Sequence, residues 1–198
     1  MKGLLIISIL LLVACTNRQD FDKAQEYYFE GFEKLTTLDS NKNLNYESAE
    51  KAFEKALELY PKHYEAAYWK AFCELNSKRY NEAIKTSTQY LKTINENHIN
   101  KPDLFVVKGI AEFKIGELNQ SHHDFENAKK IYGKRIDNDS NDKNSLLNYA
   151  LILCYQNQKP DAISFLESHK RKVKSEETIN EIIEAINGFD EKDFLNTK

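Results

Sequence analysis

The 198 residues are 41% hydrophobic and 30% charged, with only 6 glycines and 3 prolines, a balance that suits one soluble, strongly helical body and offers few strand signals. Acidic and basic side chains number 31 and 28 and are interspersed, so the formal charge of -3 supplies no concentrated positive surface for neutralising phosphates. A nucleic-acid partner is set aside on that ground.

Lys2 precedes an apolar run from Gly3 to Val13 that ends in Leu12-Val13-Ala14-Cys15. As a helix rising about 1.5 Å per residue, the run reaches roughly half of a bilayer's ~30 Å hydrocarbon thickness, so it reads as a cleaved leader and not as a finished span. The tetrapeptide resembles the lipobox of bacterial lipoproteins. That resemblance implies a signal peptide over 1–14, diacylglycerol on the Cys15 thiol and an acyl chain such as palmitate on the new amine. Several chains together hold a protein stably at a membrane where one does not. The alternative is a plain secretory leader in which Cys15 is incidental. Residues 15–20, polar after the cysteine, would be a short tether that keeps the body close to the bilayer. Thr16 is not the Asp that retains some lipoproteins in the inner membrane, which points to the outer membrane with the body facing the periplasm, and surface exposure stays open.

The helical pattern then repeats. A first helix around Tyr27 to Phe32 is followed by an enlarged loop between Gly31 and Tyr46, with Asn45 placed to cap a second helix carrying Tyr46, Ala49, Phe53, Ala56, Leu57, Leu59 and Pro61. Ala71, Tyr80, Ala83 and Tyr90 form the next copy. Gly109, Gly116, Leu118, Ser121, Phe125 and Ala128 form a third, and Ala150, Lys159, Ala162 and Leu166 a fourth, with Ser87 and His169 as departures. Measured on the small residue of each second helix, Ala49 to Ala83 is 34 residues, Ala83 to Ser121 is 38 and Ser121 to Ala162 is 41. The excess is expected in the polar turns Asn95 to Lys101 and Asp137 to Asn144. Pro102 suits a first helical turn, Ser175 precedes two glutamates at a helix start, and Gly188 fits a helix stop. Ile179, Ile182, Ile183 and Ile186 line one face of a last helix.

These residues resemble the tetratricopeptide repeat (TPR), in which a small residue lets two helices approach and small and aromatic residues of the second helix pack back. The resemblance implies an all-α fold: antiparallel helix pairs stacked as a short right-handed solenoid of about four degenerate repeats over 21–174. A C-terminal capping helix and frayed tail follow over 175–198.

Aligned first helices place Tyr28, Phe32 and Leu35; Tyr68, Phe72 and Leu75; Val106, Ile110 and Phe113; and Leu147, Leu151 and Cys154 at equivalent positions. In TPR proteins such positions tend to face a concave groove, so this row is the candidate partner-binding channel, with Tyr28, Tyr68, Phe72 and Phe113 as anchors. The competing reading rotates each helix, making the row core and the pairs Glu30/Lys34, Lys70/Glu74 and Lys108/Glu112 a solvated face. The last helix could also fill the channel. The row lacks the Lys and Asn pattern with which chaperone-binding TPR proteins clamp a C-terminal carboxylate.

Other clusters carry less. Adjacent histidines in His122-His123-Asp124 point about 100° apart on a helix, with no second ligand set at zinc spacing. Asp137 to Asp142 begins like a calcium loop but lacks its glycine and its final glutamate. The basic run His169 to Lys174 suits a helix C-terminus or anionic headgroups. Cys73 and Cys154, in apolar helical segments, read as small buried hydrophobes. With no phosphate loop, zinc motif or nucleophile elbow, the expectation is no catalysis, no metal and no cofactor. The chain is expected to be a membrane-anchored interaction scaffold or assembly factor of a bacterial cell envelope, with an envelope protein as partner. The alternative is a module that binds a peptide, lipid or cell-wall fragment in the apolar groove.

Overall fold

The computed structural model describes residues 2–37 and 44–190, with side chains from residue 18 onward. Regular structure among the described residues is helical: α1 (Lys2–Thr36), α2 (Tyr46–Leu59), α3 (Tyr64–Asn76), α4 (Tyr80–Leu91), α5 (Lys101–Lys114), α6 (Leu118–Asn138), α7 (Lys143–Tyr155), α8 (Lys159–His169) and α9 (Glu176–Gly188). They divide into two compact units, Met1–Ile94 and Asn95–Lys198. The side chain of Cys15, most of the enlarged loop before Tyr46 and all but the first residue of the tail from Asp190 lie outside the described residues.

In the first unit each helix packs on the next in the chain. Ala49, Ala52, Phe53, Ala56 and Leu57 recur at helical spacing along α2 and are all buried. Asn45 caps this helix as expected, its side chain accepting from the Ser48 N–H at 3.1 Å. The small residues that define the repeat do what their size allows. Ala49, Ala71, Ala83, Ala150 and Ala162 are fully buried, and Ser121 nearly so. Gly31 and Gly109 are more stringent: a Cβ on Gly31 would lie 2.5 Å from the Phe53 ring, and one on Gly109 would lie 2.9 Å from the Phe125 ring.

The helix-to-helix turn within a repeat is built three times on one plan. Lys78, Gly116 and Asn157 each have positive φ (59°, 88° and 61°) and follow a first helix. The next N–H reaches five residues back, Arg79 to Glu74, Glu117 to Glu112 and Gln158 to Leu153, at 2.8–2.9 Å. Only one of the three uses glycine, the residue with no steric cost in this region.

In the second unit the longer spacing before Ala162 is taken up differently from the sequence expectation. The extra residues do not all form a loop: α6 runs for 21 residues through Asn138, leaving only 139–142 as the connection to α7. The extension is held by packing. Ile136 is buried in the core, the Tyr132 hydroxyl donates to Asp103, and Arg135 donates to the carbonyls of His98 and Ile99 at 3.0 and 2.9 Å. Asp142 then caps α7 by accepting from the Ser145 N–H at 3.0 Å. The other insertion falls where the sequence puts it, between Leu91 and Lys101, and Pro102 sits in the first turn of α5.

Helix α9 packs on α7 and α8 and buries Ile179, Ile182 and Ile186 against Leu146, Ala150, Leu153, Cys154, Ala162 and Leu166. It caps the last hairpin as its apolar row requires. Ser175 stands at the N-cap position without a side-chain capping bond, so the start of α9 relies on Glu176 and Glu177 beside the helix dipole.

Replacing Gly109 by Ala pits a helix-propensity gain of up to about 1 kcal/mol against overpacking of about 1–3 kcal/mol. Because the obstruction includes a ring edge and the Ser121 carbonyl 3.3 Å away, overpacking wins, and urea unfolding should show a net loss. Gly133→Ala, whose Cβ meets only Tyr149 at 3.8 Å, should gain up to about 1 kcal/mol in the same measurement.

Candidate functional site

In the first unit the sequence row lies along α1 and α3, and every one of its six residues is half-buried. Tyr28 and Phe32 meet edge to face at 5.1 Å, and Phe32 continues to Trp69 at 4.7 Å. Trp69 joins Tyr68 at 5.0 Å and Phe72 at 5.3 Å. Tyr46 reaches Phe72 at 6.3 Å, and Phe29, 61% exposed, stands 5.6 Å from Tyr28. The result is a continuous strip of rings, each partly open to solvent, with the geometry that aromatic quadrupoles favour. Burial raises the pKa of the Tyr28 hydroxyl, helped by the charge of Glu65, while a hydrogen bond from the Trp69 indole opposes the rise.

Phe29 and Trp69 lie at equivalent positions one residue beyond the row, where the second unit has Val107 and Asn148, so the row read across all four copies passes over them. The signal was available nonetheless: Trp69 is the one tryptophan of the chain.

The flanking charged pairs sit opposite to the face that a core reading of the row requires. Glu74 is 2% exposed and Glu112 4%, with Lys70 and Lys108 half-buried beside them. Lys70 pairs with Glu74, and lies 3.8 Å from Glu50 and 4.0 Å from Glu54, while Glu50 is also held by Arg79. In the second unit Lys108 pairs with Asp124 and, at 2.8 Å, with Glu112. The expectation of a solvated face at Lys70/Glu74 and Lys108/Glu112 is therefore corrected. These charges turn inward because the second helices supply partners, without which burial would be prohibitive. Burial and the neighbouring Asp124 push the Glu112 carboxyl up, against the pull of Lys108.

In the second unit Val106, Ile110, Phe113, Leu147 and Leu151 are half-buried like the row of the first unit, and Cys154 is buried. Val106 and Ile110 lie on the cluster of Phe125, Ala128, Tyr132 and Ile152. Leu147 and Leu151 pack on the cluster that α9 completes, and Cys154 is buried within it. Phe113 is half-buried too. With Leu118, Phe125 and Tyr155 it lines a cavity of about 190 Å³, rimmed by Ser121, His122, Gln156 and Asn157, and Ile115 and Leu118 are exposed.

The remaining polar candidates have local partners. His122 Nδ1 is 3.0 Å from the Gln156 amide, which also donates to Glu126, and Asp124 is engaged by Lys108. Asp139 accepts from the Asn141 N–H at 2.9 Å. Among the described residues no group of three or more His, Cys, Asp or Glu is placed to hold a metal ion. His169 Nδ1 is 2.8 Å from the Phe165 carbonyl, and Lys170 pairs with Glu167, so the start of the basic run serves the end of α8. Cys73 and Cys154 are buried, and burial pushes the Cys73 thiol up to about 12, which leaves it unreactive.

Residues 42–120 match the family model described as anaphase-promoting complex, cyclosome, subunit 3. Among solved structures the chain is similar to a thermophilic TPR protein of Thermus thermophilus, at 16% identity and a TM-score of 0.52, over 86% of this chain and 80% of that one. It is also similar to YrrB, a TPR protein with an unusual peptide-binding site, at 18% identity and a TM-score of 0.40, over 71% and 67% of the two chains. MamA gives 13% identity and a TM-score of 0.45, over 91% and 85%. No curated protein sequence matches the chain. The fold, built of stacked helix pairs, is that of TPR proteins.

One side chain ties the aromatic strip to the start of α3. His63 is buried, its Nδ1 accepts from the Ala66 N–H at 3.3 Å as the helix cap, and its ring lies against Tyr28 at 4.7 Å and Phe21 at 6.3 Å. Nδ1 can accept only when that nitrogen is unprotonated, and a cation here would oppose the helix dipole. Burial lowers the His63 pKa below its ordinary 6.5, although Glu65 at 3.4 Å pulls the other way. A histidine with a depressed folded-state pKa contributes stability that is complete above the unfolded value of 6.5 and is lost as pH falls from there through the lowered value. The difference in urea stability between wild type and His63→Asn, which keeps a neutral cap, should therefore shrink on acidification across that window. A difference independent of pH would contradict this role.

Proposed function

We propose that the protein is a lipid-anchored interaction module of a bacterial cell envelope that holds an apolar segment of a partner protein on the aromatic face of its first unit. TPR folds supply protein or peptide interaction surfaces, and that coarser statement covers this chain. The observation that carries the finer one is the contrast along α3, where Lys70 and Glu74 turn inward and Tyr68, Trp69, Phe72 and Leu75 stay half open. Aromatic residues with low side-chain entropy and large contact area are the usual energetic anchors of protein interfaces. Tyr28, Phe32 and Phe72 would be the central contacts, with Val106, Ile110 and Phe113 offering a smaller surface in the second unit.

Anchoring rests on the sequence around Cys15. Cleavage before it would leave a mature chain that starts within α1, so that residues 15–20 continue directly into the first helix of the body. Among the described residues no helix is long and apolar enough to cross a membrane. The protein would then be held by lipid in the outer membrane with its body in the periplasm.

A second reading, capture of a peptide, lipid or cell-wall fragment, is favoured by the small apolar cavity at Phe113, Leu118, Phe125 and Tyr155. In-cell crosslinking followed by mass spectrometry of the detergent-solubilised envelope separates the two. A stoichiometric protein partner that is lost with Phe72→Glu supports the interaction module, whereas a copurifying non-protein ligand with no protein partner supports the second reading. Phe72→Glu and Trp69→Ala should each weaken partner binding by at least about tenfold with unchanged circular dichroism. Unfolding of Phe72→Glu would instead make Phe72 core. Cys15→Ser should abolish palmitate labelling and release the protein from the detergent phase, and retained labelling would remove the anchor from the account.

A further inference from the structure

Lys159 ties down the end of α9, its Nζ donating to the carbonyls of Asn187 and Phe189 at 2.9 and 2.8 Å. Phe189 has extended backbone and is half-buried against the cluster that α9 completes. Its ring meets Tyr155 edge to face at 5.5 Å. Tyr155 stacks in turn on Phe125 at 5.8 Å, and both of these rings line the apolar cavity of about 190 Å³. The chain therefore comes out of α9 one ring away from that cavity. The segment 191–198 that follows reads Glu-Lys-Asp-Phe-Leu-Asn-Thr-Lys, and Phe194 and Leu195 are its only apolar residues. The two ring distances together put Phe125 within about 11 Å of Phe189, and the five residues from Phe189 to Phe194 can span about 17 Å when extended.

We propose that segment 191–198 docks on this cavity, with Phe194 as the anchor and Leu195 beside it, so that the chain carries its own occupant. The walls suit an aromatic ring: Phe113, Phe125 and Tyr155 offer faces and edges, and Leu118, 58% exposed, gains cover from water. Tethering selects this occupant over others. A side chain held by five residues of chain acts at an effective concentration in the roughly millimolar range, whereas a second copy or a free ligand first loses translational and rotational freedom. The cavity is then controlled from within the chain, because an external apolar ligand reaches Phe113 and Tyr155 only by displacing the segment. The aromatic strip of the first unit plays no part in this, and the assignment stands or falls without it.

The test places p-benzoylphenylalanine at position 194 of the full chain and maps its adducts by mass spectrometry of proteolytic fragments. Mixing unlabelled with heavy-isotope-labelled protein separates adducts within one molecule from those between copies. The expected result is an adduct within the molecule, at or beside Phe113, Leu118, Phe125 or Tyr155. Leu118→Asp, a change at an exposed position, should keep its circular dichroism and lower the adduct yield by at least about tenfold. A second measurement needs neither the photoprobe nor a change in the body of the fold. Phe194→Asp/Leu195→Asp should uncover the cavity and raise the fluorescence of bound anilinonaphthalene sulfonate by at least about twofold, the aromatic strip contributing equally to variant and wild type. Adducts mapped to other surfaces, adducts only between copies, which would make a second copy the occupant, undiminished yield in Leu118→Asp, or unchanged dye fluorescence would overturn the assignment.

Discussion

The structure depends on how closely the second helix of a repeat can press against the first. Gly31 and Gly109 admit the rings of Phe53 and Phe125 at distances where even a methyl group collides, and Ala71 and Ala150 hold the equivalent places in the other copies. That approach fixes the rotation of each first helix about its own axis. Once the small residue faces the partner helix, residues one place before and three places after it lie on one flank, and those three places before and one place after lie on the other. On α3 the first set is Lys70 and Glu74 and the second is Tyr68 and Phe72. On α5 they are Lys108 and Glu112 against Val106 and Ile110.

The consequence is an inversion of the usual polarity. Two buried or half-buried charge pairs stand where apolar side chains would pack with less desolvation, and a strip of rings stands half open to water. Buried ion pairs add little net stability compared with well-packed hydrophobes, though breaking one costs several kcal/mol. An exposed aromatic surface likewise does nothing for an isolated domain. The half-open rings make sense if the first helices answer to something outside the fold, the apolar groups of a partner. In the second unit Leu147 and Leu151 pack, half-buried, on the cluster that includes Ile179, Ile182 and Ile186 of α9, and Phe113 lines a small apolar cavity.

Much of this was legible in the sequence because the repeat is a packing device. Small residues at fixed intervals point to close helix approach, and Ala49, Ala71, Ala83, Ser121, Ala150 and Ala162 are all buried, while Gly116 serves an exposed turn. The cap at Asn45, Pro102 in the first turn of α5 and the apolar row of α9 follow from chemistry within one or two turns of helix, and the structure has all three. What escaped was set by tertiary partners. The length of α6 depends on Tyr132, Arg135 and Ile136 finding Asp103, two carbonyls and a core several elements away, none of which a polar stretch of Asp and Asn reveals. The inward charges were read as a solvated face because an i, i+4 Lys/Glu pair looks the same whether water or Glu50 and Asp124 complete it. Trp69 was missed because it breaks the register that made its neighbours visible.

The central claim is that the open flank of α3, and not the outer surface of α2, is where a partner sits. The most direct measurement places the photocrosslinker p-benzoylphenylalanine in cells at Phe72 and, in a matched strain, at the exposed Glu47 on α2. A discrete protein adduct is expected from position 72 and none from position 47. No adduct at 72, or adducts of equal yield at both positions, would contradict it.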